Sequence, residues 1–271
     1  YYYFILLYFL LHYLELNRKF MENVVIIFGV LYAIIFTIQF KIYPRVIVTT
    51  GLGDDAGNLQ LELLGHGFLM LAYLLVLNRF LLGFKPVYII LALGFLMVQF
   101  KSDFRTLIAG ALLITVLMVI RTFRFDAKNF IMIFVVAMVF IGMLFSPKVT
   151  PVIDTMINET QRDVGQGKDY VRRVEFDFYY KRYPRDFSFY LIGGGKPAGN
   201  NLWVIGSNWE MNYNIVWVDI GLLGFFVVVG GIALFGLLWY TFKAVFMRLP
   251  RDMLYLNFYF LYLFIVSFTN E

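Results

Sequence analysis

Three arginines and two carboxylates have the types and positions to do chemistry at the edge of a membrane. Arg105 stands in Lys101-Ser102-Asp103-Phe104-Arg105-Thr106, where a polar turn gives way to an apolar run. A planar fork of N–H donors matches a phosphate better than a point charge does, so this residue reads as an anion clamp. A plain interfacial arginine, stem buried and head in the polar layer, explains the same position. Arg172 and Arg173 lie in a stretch with helical periodicity, where Val171, Val174, Phe178 and Tyr179 form one apolar face and Arg172, Arg173 and Asp177 lie towards another. Such a helix rests in the interface plane, and Pro184 ends or kinks it. Its arginines either meet anionic headgroups or turn back over the mouth of the membrane domain. Glu210 precedes the next apolar run, and Asp219 lies about two and a half helical turns further in. A carboxylate at membrane depth is costly, so Asp219 is either functional or the partner of an internal donor. Glu210 costs little to keep charged at the water boundary, which is also where a base for a sugar hydroxyl has to sit.

Weaker candidates surround these. Gly193-Gly194-Gly195-Lys196-Pro197 has no strand before it and no Lys-Ser or Lys-Thr pair after it, so it is not a nucleotide loop. It reads as a flexible turn whose backbone N–H groups, that of Gly194 at the centre, can approach a phosphate or sugar. Trp203, Trp209, Tyr179, Tyr180 and Tyr213 offer faces for sugar stacking, although an interfacial aromatic belt accounts for any one of them. His66, between Gly65 and Gly67, reads as a packed, hydrogen-bonding residue; no His/Asp/Glu set has metal-ligand spacing, so no catalytic metal is expected.

The elements that must position these residues are membrane spans. With 61% hydrophobic and 15% charged residues and a mean hydropathy of +0.75, the 271 residues carry too little polar surface for a soluble globule. The apolar runs predict spans at roughly 1–16, 22–40, 59–82, 86–100, 104–120, 128–145, 213–241 and 252–270. Between the sixth and seventh of these lies the one long polar interval, Ser146 to Tyr213, which holds nine basic residues. The expected fold is therefore all-α: a polytopic helical membrane protein with a large extracytoplasmic loop carrying short interfacial helices. Residues 1–271 form a single membrane domain, with 146–213 as its catalytic loop. The shorter stretch Phe40 to Gly57 is expected to be a loop, with Gly51, Gly53 and Gly57 favouring turns. The chain opens on Tyr1 inside an apolar run, so it reads as a fragment of a longer protein.

Orientation follows from the short basic connections. Arg18 and Lys19, then Arg79 and Lys85, then Arg121, Arg124 and Lys128, then Lys243, Arg248 and Arg251 alternate with connections that lack this bias. The positive-inside rule makes the first set cytoplasmic and the long loop external. The net charge of +5 is thus explained by topology and anionic lipid, and nucleic acid is not expected as a partner. Cysteine is absent, which removes disulfides and thiolate metal sites.

The order of these features resembles the bacterial O-antigen polymerase and O-antigen ligase family. The resemblance covers roughly residues 45 to 240. Its elements are Arg105 flanked by Ser102 and Thr106 at an outer turn, a single further span, the loop helix with Arg172 and Arg173, the glycine turn, and Glu210-Met211-Asn212-Tyr213 leading to Gly221-Leu222-Leu223-Gly224. The resemblance implies transfer of a glycan from an undecaprenyl diphosphate carrier to an acceptor hydroxyl at the outer face of the bacterial inner membrane, with no metal and no cofactor. It implies that Arg105 and one of Arg172 and Arg173 hold the diphosphate, and that a chain-length regulator or other assembly protein is a partner alongside membrane lipids. Ligases carry His-Asn where this chain has Glu210-Met211; the departure favours a polymerase. Glu210 would then accept the proton, Arg105 and Arg173 would stabilise the departing diphosphate, and Arg172, Asp219, His66, Gly194, Trp209 and Tyr213 would line the substrate. His66, in Leu64-Gly65-His66-Gly67-Phe68, matches only loosely a His-Pro-Asn segment of the family. Two other readings remain: a ligase joining the glycan to a lipid acceptor, and a transporter or flippase for a lipid-linked or anionic solute. The transporter reading requires spans broken by Gly or Pro near mid-membrane with charges there. No proline interrupts the spans, and the charged residues gather at one face, which favours a one-sided enzyme over a transporter or a purely structural subunit.

Overall fold

The computed structural model describes residues 17–43, 51–55, 58–63, 65–83, 85–102, 105–122, 171–177, 187–195 and 220–268, with isolated positions at 45, 154, 157, 158, 160–162, 165 and 179. In chain order the elements are α1 (Arg18–Ile42), β1 (Gly51–Asp55), β2 (Asn58–Glu62), α2 (His66–Gly83), α3 (Pro86–Lys101), α4 (Arg105–Thr122), α5 (Val171–Asp177), α6 (Phe187–Ile192), α7 (Leu222–Phe246), a single 3-10 turn (Arg251–Met253) and α8 (Leu254–Val266). Apart from one hairpin, every one of them is helical. Helices α1, α2 and α7 are each long and apolar enough to cross a membrane, and α3 and most of α4 are apolar as well.

Contacts divide the chain into two compact units. The first contains α1, the hairpin, α2 and α3 and takes in Leu254–Leu256. Helix α2 is its centre: Leu69, Met70, Ala72, Leu74 and Val76 are fully buried, although all would be at home facing lipid. Burial comes from close approach. A Cβ at Gly29 of α1 would stand 2.6 Å from the Cβ of Ala72 and 3.0 Å from the ring of Phe95 on α3, so glycine lets three helices meet. Lys85 and Pro86 set the start of α3, because a proline at the first helical position has no N–H to leave unpaired.

A carboxylate ties this unit together at the end where α1 begins. Glu22 is buried, and its Oε1 accepts from Arg18 Nε while its Oε2 accepts from Arg79 Nη2 of α2, both at 2.7 Å. Tyr255 donates its hydroxyl to the same carboxylate at 3.4 Å. The guanidinium of Arg79 also lies over the ring of Tyr88 on α3, 5.8 Å from its centroid. Arg18 and Lys19, expected in a connection, are the first turn of α1, started by the Asn17 side chain accepting from the Lys19 N–H at 3.0 Å.

The region before α2 differs from expectation. The stretch read as loop up to Gly57 and as span from residue 59 is an antiparallel hairpin, pairing Gly51 with Glu62 and Asp55 with Asn58. Gly51 and Gly53 are strand residues rather than turn residues. The physical reason is the period of Asn58-Leu59-Gln60-Leu61-Glu62, which alternates and so suits a strand; the helical run starts only at His66, after Gly65 at φ 101°.

The second unit contains α4, α5, α6, α7 and all of α8 beyond Leu256. Gly110 of α4 packs against α8, where an added Cβ would lie 3.2 Å from the Tyr262 ring and 3.3 Å from Val266. Helix α7 runs to Phe246, past the expected end at 241, because Lys243 continues the helix as a cation in its last turn. Its terminal carbonyls are capped by Asn257, whose Nδ2 donates to Ala244 O, Val245 O and Met247 O at 2.7 to 3.0 Å. At the opposite end Leu222 N–H donates to Ser267 O at 2.9 Å, so the start of α7 and the end of α8 lie side by side.

Candidate functional site

Helix α7 carries an unusual backbone in its interior. Gly230 has φ 80° and ψ 175°, a conformation open almost only to glycine, and the helix is broken there. A broken helix leaves carbonyls that need donors. The glycine turn after α6 supplies them: Gly194 N–H donates to Val227 O at 2.8 Å and Gly195 N–H to Val228 O at 2.9 Å. Both turn glycines flanking Gly194 have positive φ, 81° at Gly193 and 76° at Gly195. Contact at the break is backbone to backbone, since a Cβ on Gly230 would collide with Leu191, Ile192 and Gly193, and one on Gly193 with Val228 and Gly230. Neither glycine can be replaced by any L side chain without moving the other segment.

Around this junction is a small apolar core. Tyr179, Phe189, Val227 and Val228 are buried together, with Ile220 and Val229 packed on them. Tyr179 follows α5, so the arginine-bearing helix, the glycine turn and the start of α7 are brought to one place. The expected face of α5 is not the observed one. Glu175 is wholly buried, whereas Val174 and Phe176 are each 44% exposed. Tyr179, expected as a sugar-stacking surface, is also wholly buried and has no face to offer.

The remaining candidates stand as follows. Arg173 is an exposed residue of α5, and Arg172 precedes it in the same helix. Arg105 is the first residue of α4, and the next residue, Thr106, has a buried Oγ1 with no hydrogen-bond partner among the described residues. Gly194 is placed at the junction just described, so its N–H is engaged by protein. His66 opens α2, its Nδ1 3.4 Å from the Tyr32 hydroxyl, which also donates to Leu63 O at 3.2 Å; the rings meet edge to face. That is a packing role, shared with the hairpin's end. Glu210, Asp219, Trp209 and Tyr213 lie outside the described residues, as do Trp203 and Tyr180.

Two features depart from the sequence expectations. Gly230-Gly231 inside an apolar run is the sequence signal for the break, although no proline accompanies it. Glu175, wholly buried, is not among the residues that type and spacing single out. The first unit also carries an apolar groove of about 400 Å³ between α1 and α3, lined by Ala33, Thr37, Ile90, Gly94 and Phe95 among others. Its shape and chemistry suit a hydrocarbon chain. Comparison with known proteins adds no relative: no family model, no curated protein and no solved structure matches this chain.

Proposed function

We propose that the chain is a membrane glycosyltransferase of the O-antigen polymerase kind, lengthening a glycan held on an undecaprenyl diphosphate carrier. The observation that carries this reading is the helix Val171–Asp177 within the long polar interval, with Arg173 exposed and Tyr179, two residues past its end, buried with Phe189 of α6 and Val227 and Val228 of α7. An arginine helix anchored in this way presents cations at headgroup level, where a lipid diphosphate carries its charge. Arg105 at the head of α4 supplies a second cation, and arginine neutralisation of the leaving diphosphate replaces a metal in the mechanism. Glu210 removes the proton from the attacking sugar hydroxyl, which bonds to the anomeric carbon as the diphosphate departs with its electron pair.

The broken helix α7 is the one feature that favours a transporter, because discontinuous spans build ion and solute sites. Two observations weigh against that use. No charged residue lies between Leu222 and Phe242, and the Val227 and Val228 carbonyls at the break already accept from the glycine turn. The test is to replace Arg105, Arg172 and Arg173 by lysine, singly and together, and to follow polymer made in cells and in reconstituted membranes. The lysine variants keep the charge but lose the two-pronged geometry, so polymer formation is expected to fall sharply while the protein still inserts. Normal polymer from the triple variant rules out the clamp.

A further inference from the structure

Gly230 lies eight residues beyond Leu222 and sixteen before Phe246, so the break sits well inside an apolar helix that is long enough to span the bilayer. At the helical rise this is about 12 Å from the end of α7 that meets Ser267. The hydrocarbon layer is about 30 Å thick, which puts the break within it. Whatever binds the break is at that depth too. Helix α6 and the glycine turn bind it directly, through Gly193 on Gly230, Gly194 and Gly195 on the carbonyls of Val227 and Val228, and Tyr190 beside the Phe226 ring at 6.3 Å. The surface of α6 matches this placement: Phe187 and Ile192 are 77% and 70% exposed, and Tyr190 and Leu191 are exposed as well. Phe189 is the one aromatic of α6 turned inward, onto Tyr179 and Val227. In water such a six-residue helix would present a patch with nothing to cover it; in hydrocarbon it is the expected surface.

We propose that Phe187–Gly195 is a re-entrant segment that dips into the bilayer and lays Phe187, Tyr190, Leu191 and Ile192 against lipid acyl chains. The segment is tolerated there because the Gly194 and Gly195 N–H groups donate to carbonyls freed by the broken helix, so that the non-helical backbone is satisfied within the protein. This holds whether or not the glycosyltransferase reading does. It revises the picture of the interval from Ser146 to Tyr213 as wholly external.

The absence of cysteine in the 271 residues makes the test direct. Single cysteines replace Ile192, Phe235 (lipid-facing control on α7) and Arg248 (polar control), and each is labelled with an environment-sensitive fluorophore in phosphatidylcholine vesicles. Lipids brominated along their acyl chains are expected to remove most of the emission at Ile192 and Phe235 and little at Arg248, while aqueous iodide does the reverse. Gly230→Ala in the Ile192→Cys background is expected to shift the Ile192 label towards iodide. The proposal is overturned if the Ile192 label is quenched by iodide like Arg248, or is shielded from both quenchers, which means that protein covers α6.

Discussion

Replacing Gly230 by alanine should undock the loop from α7, and the structure gives the size of the effect. An alanine held at φ 80° and ψ 175° stores about 1–3 kcal/mol of backbone strain. Its Cβ would also occupy space taken by the backbone of Leu191, Ile192 and Gly193, which cannot swing aside as a side-chain end can. The alternative is for α7 to straighten. Alanine then gains about 1 kcal/mol over glycine as a helix former, but the bonds from Gly194 and Gly195 are lost, each worth about 0.5–1.5 kcal/mol. Opening the cluster of Tyr179, Phe189, Val227 and Val228 adds to the loss. Docking should weaken by about 3 kcal/mol, more than a hundredfold in the docked population. Gly236→Ala is the matched control on the same helix, because a Cβ there meets nothing within 4 Å. Hydrogen exchange read by mass spectrometry over 187–195 should show protection in the parent chain and in Gly236→Ala, and its loss in Gly230→Ala. Equal protection in all three would show that the glycine contact does not hold the loop.

Other outcomes are as specific. Glu22→Gln leaves Arg18 and Arg79 without their shared carboxylate, so the protein in detergent should lose about 2–4 kcal/mol of stability, less than for a fully buried pair because Arg18 is partly exposed; an unchanged unfolding midpoint would mean that the cluster contributes nothing. Asn257→Ala strips three carbonyls at the end of α7 of their donor and should cost about 1–3 kcal/mol, read in the same unfolding assay against Asn257→Asp, which restores no donor and should be no better. Glu210→Gln should abolish lengthening with lipid carrier still bound, and Asp219→Asn should act mainly on positioning or stability; polymer of normal length from the first and none from the second would move the base to Asp219.

What was legible in the sequence follows a physical division. Apolar helices are written in composition over about 20 residues: the runs at 22–40, 86–100 and 104–120 are helices α1, α3 and α4 with small shifts at their ends, and of these α1 is long and apolar enough to cross a membrane. The loop helix was legible because its period is 3.6, and α5 appears where that period runs. Its facing was not legible. The burial of Glu175 and the exposure of Val174 and Phe176 invert the rule that holds in water, and no periodicity within seven residues announces that. The hairpin at Gly51–Glu62 was hidden by its neighbours, because five alternating residues adjoin an apolar helix and merge with it in any long window. Gly230 and Gly193 could be seen as glycines but not as partners, since 37 residues separate them and no local rule joins a turn to a break in a distant span.

The central claim is that the chain joins glycans on a polyprenyl diphosphate. The direct measurement is to reconstitute the purified protein in liposomes with one undecaprenyl-diphosphate-linked oligosaccharide repeat, with chelator present and no nucleotide sugar, and to resolve the lipid-linked products by size. The expected result is a ladder of multiples of the repeat, lost when Arg105 and Arg173 are both replaced by lysine. A single repeat that is never lengthened but crosses to the opposite leaflet would contradict the account and assign the chain to lipid transport.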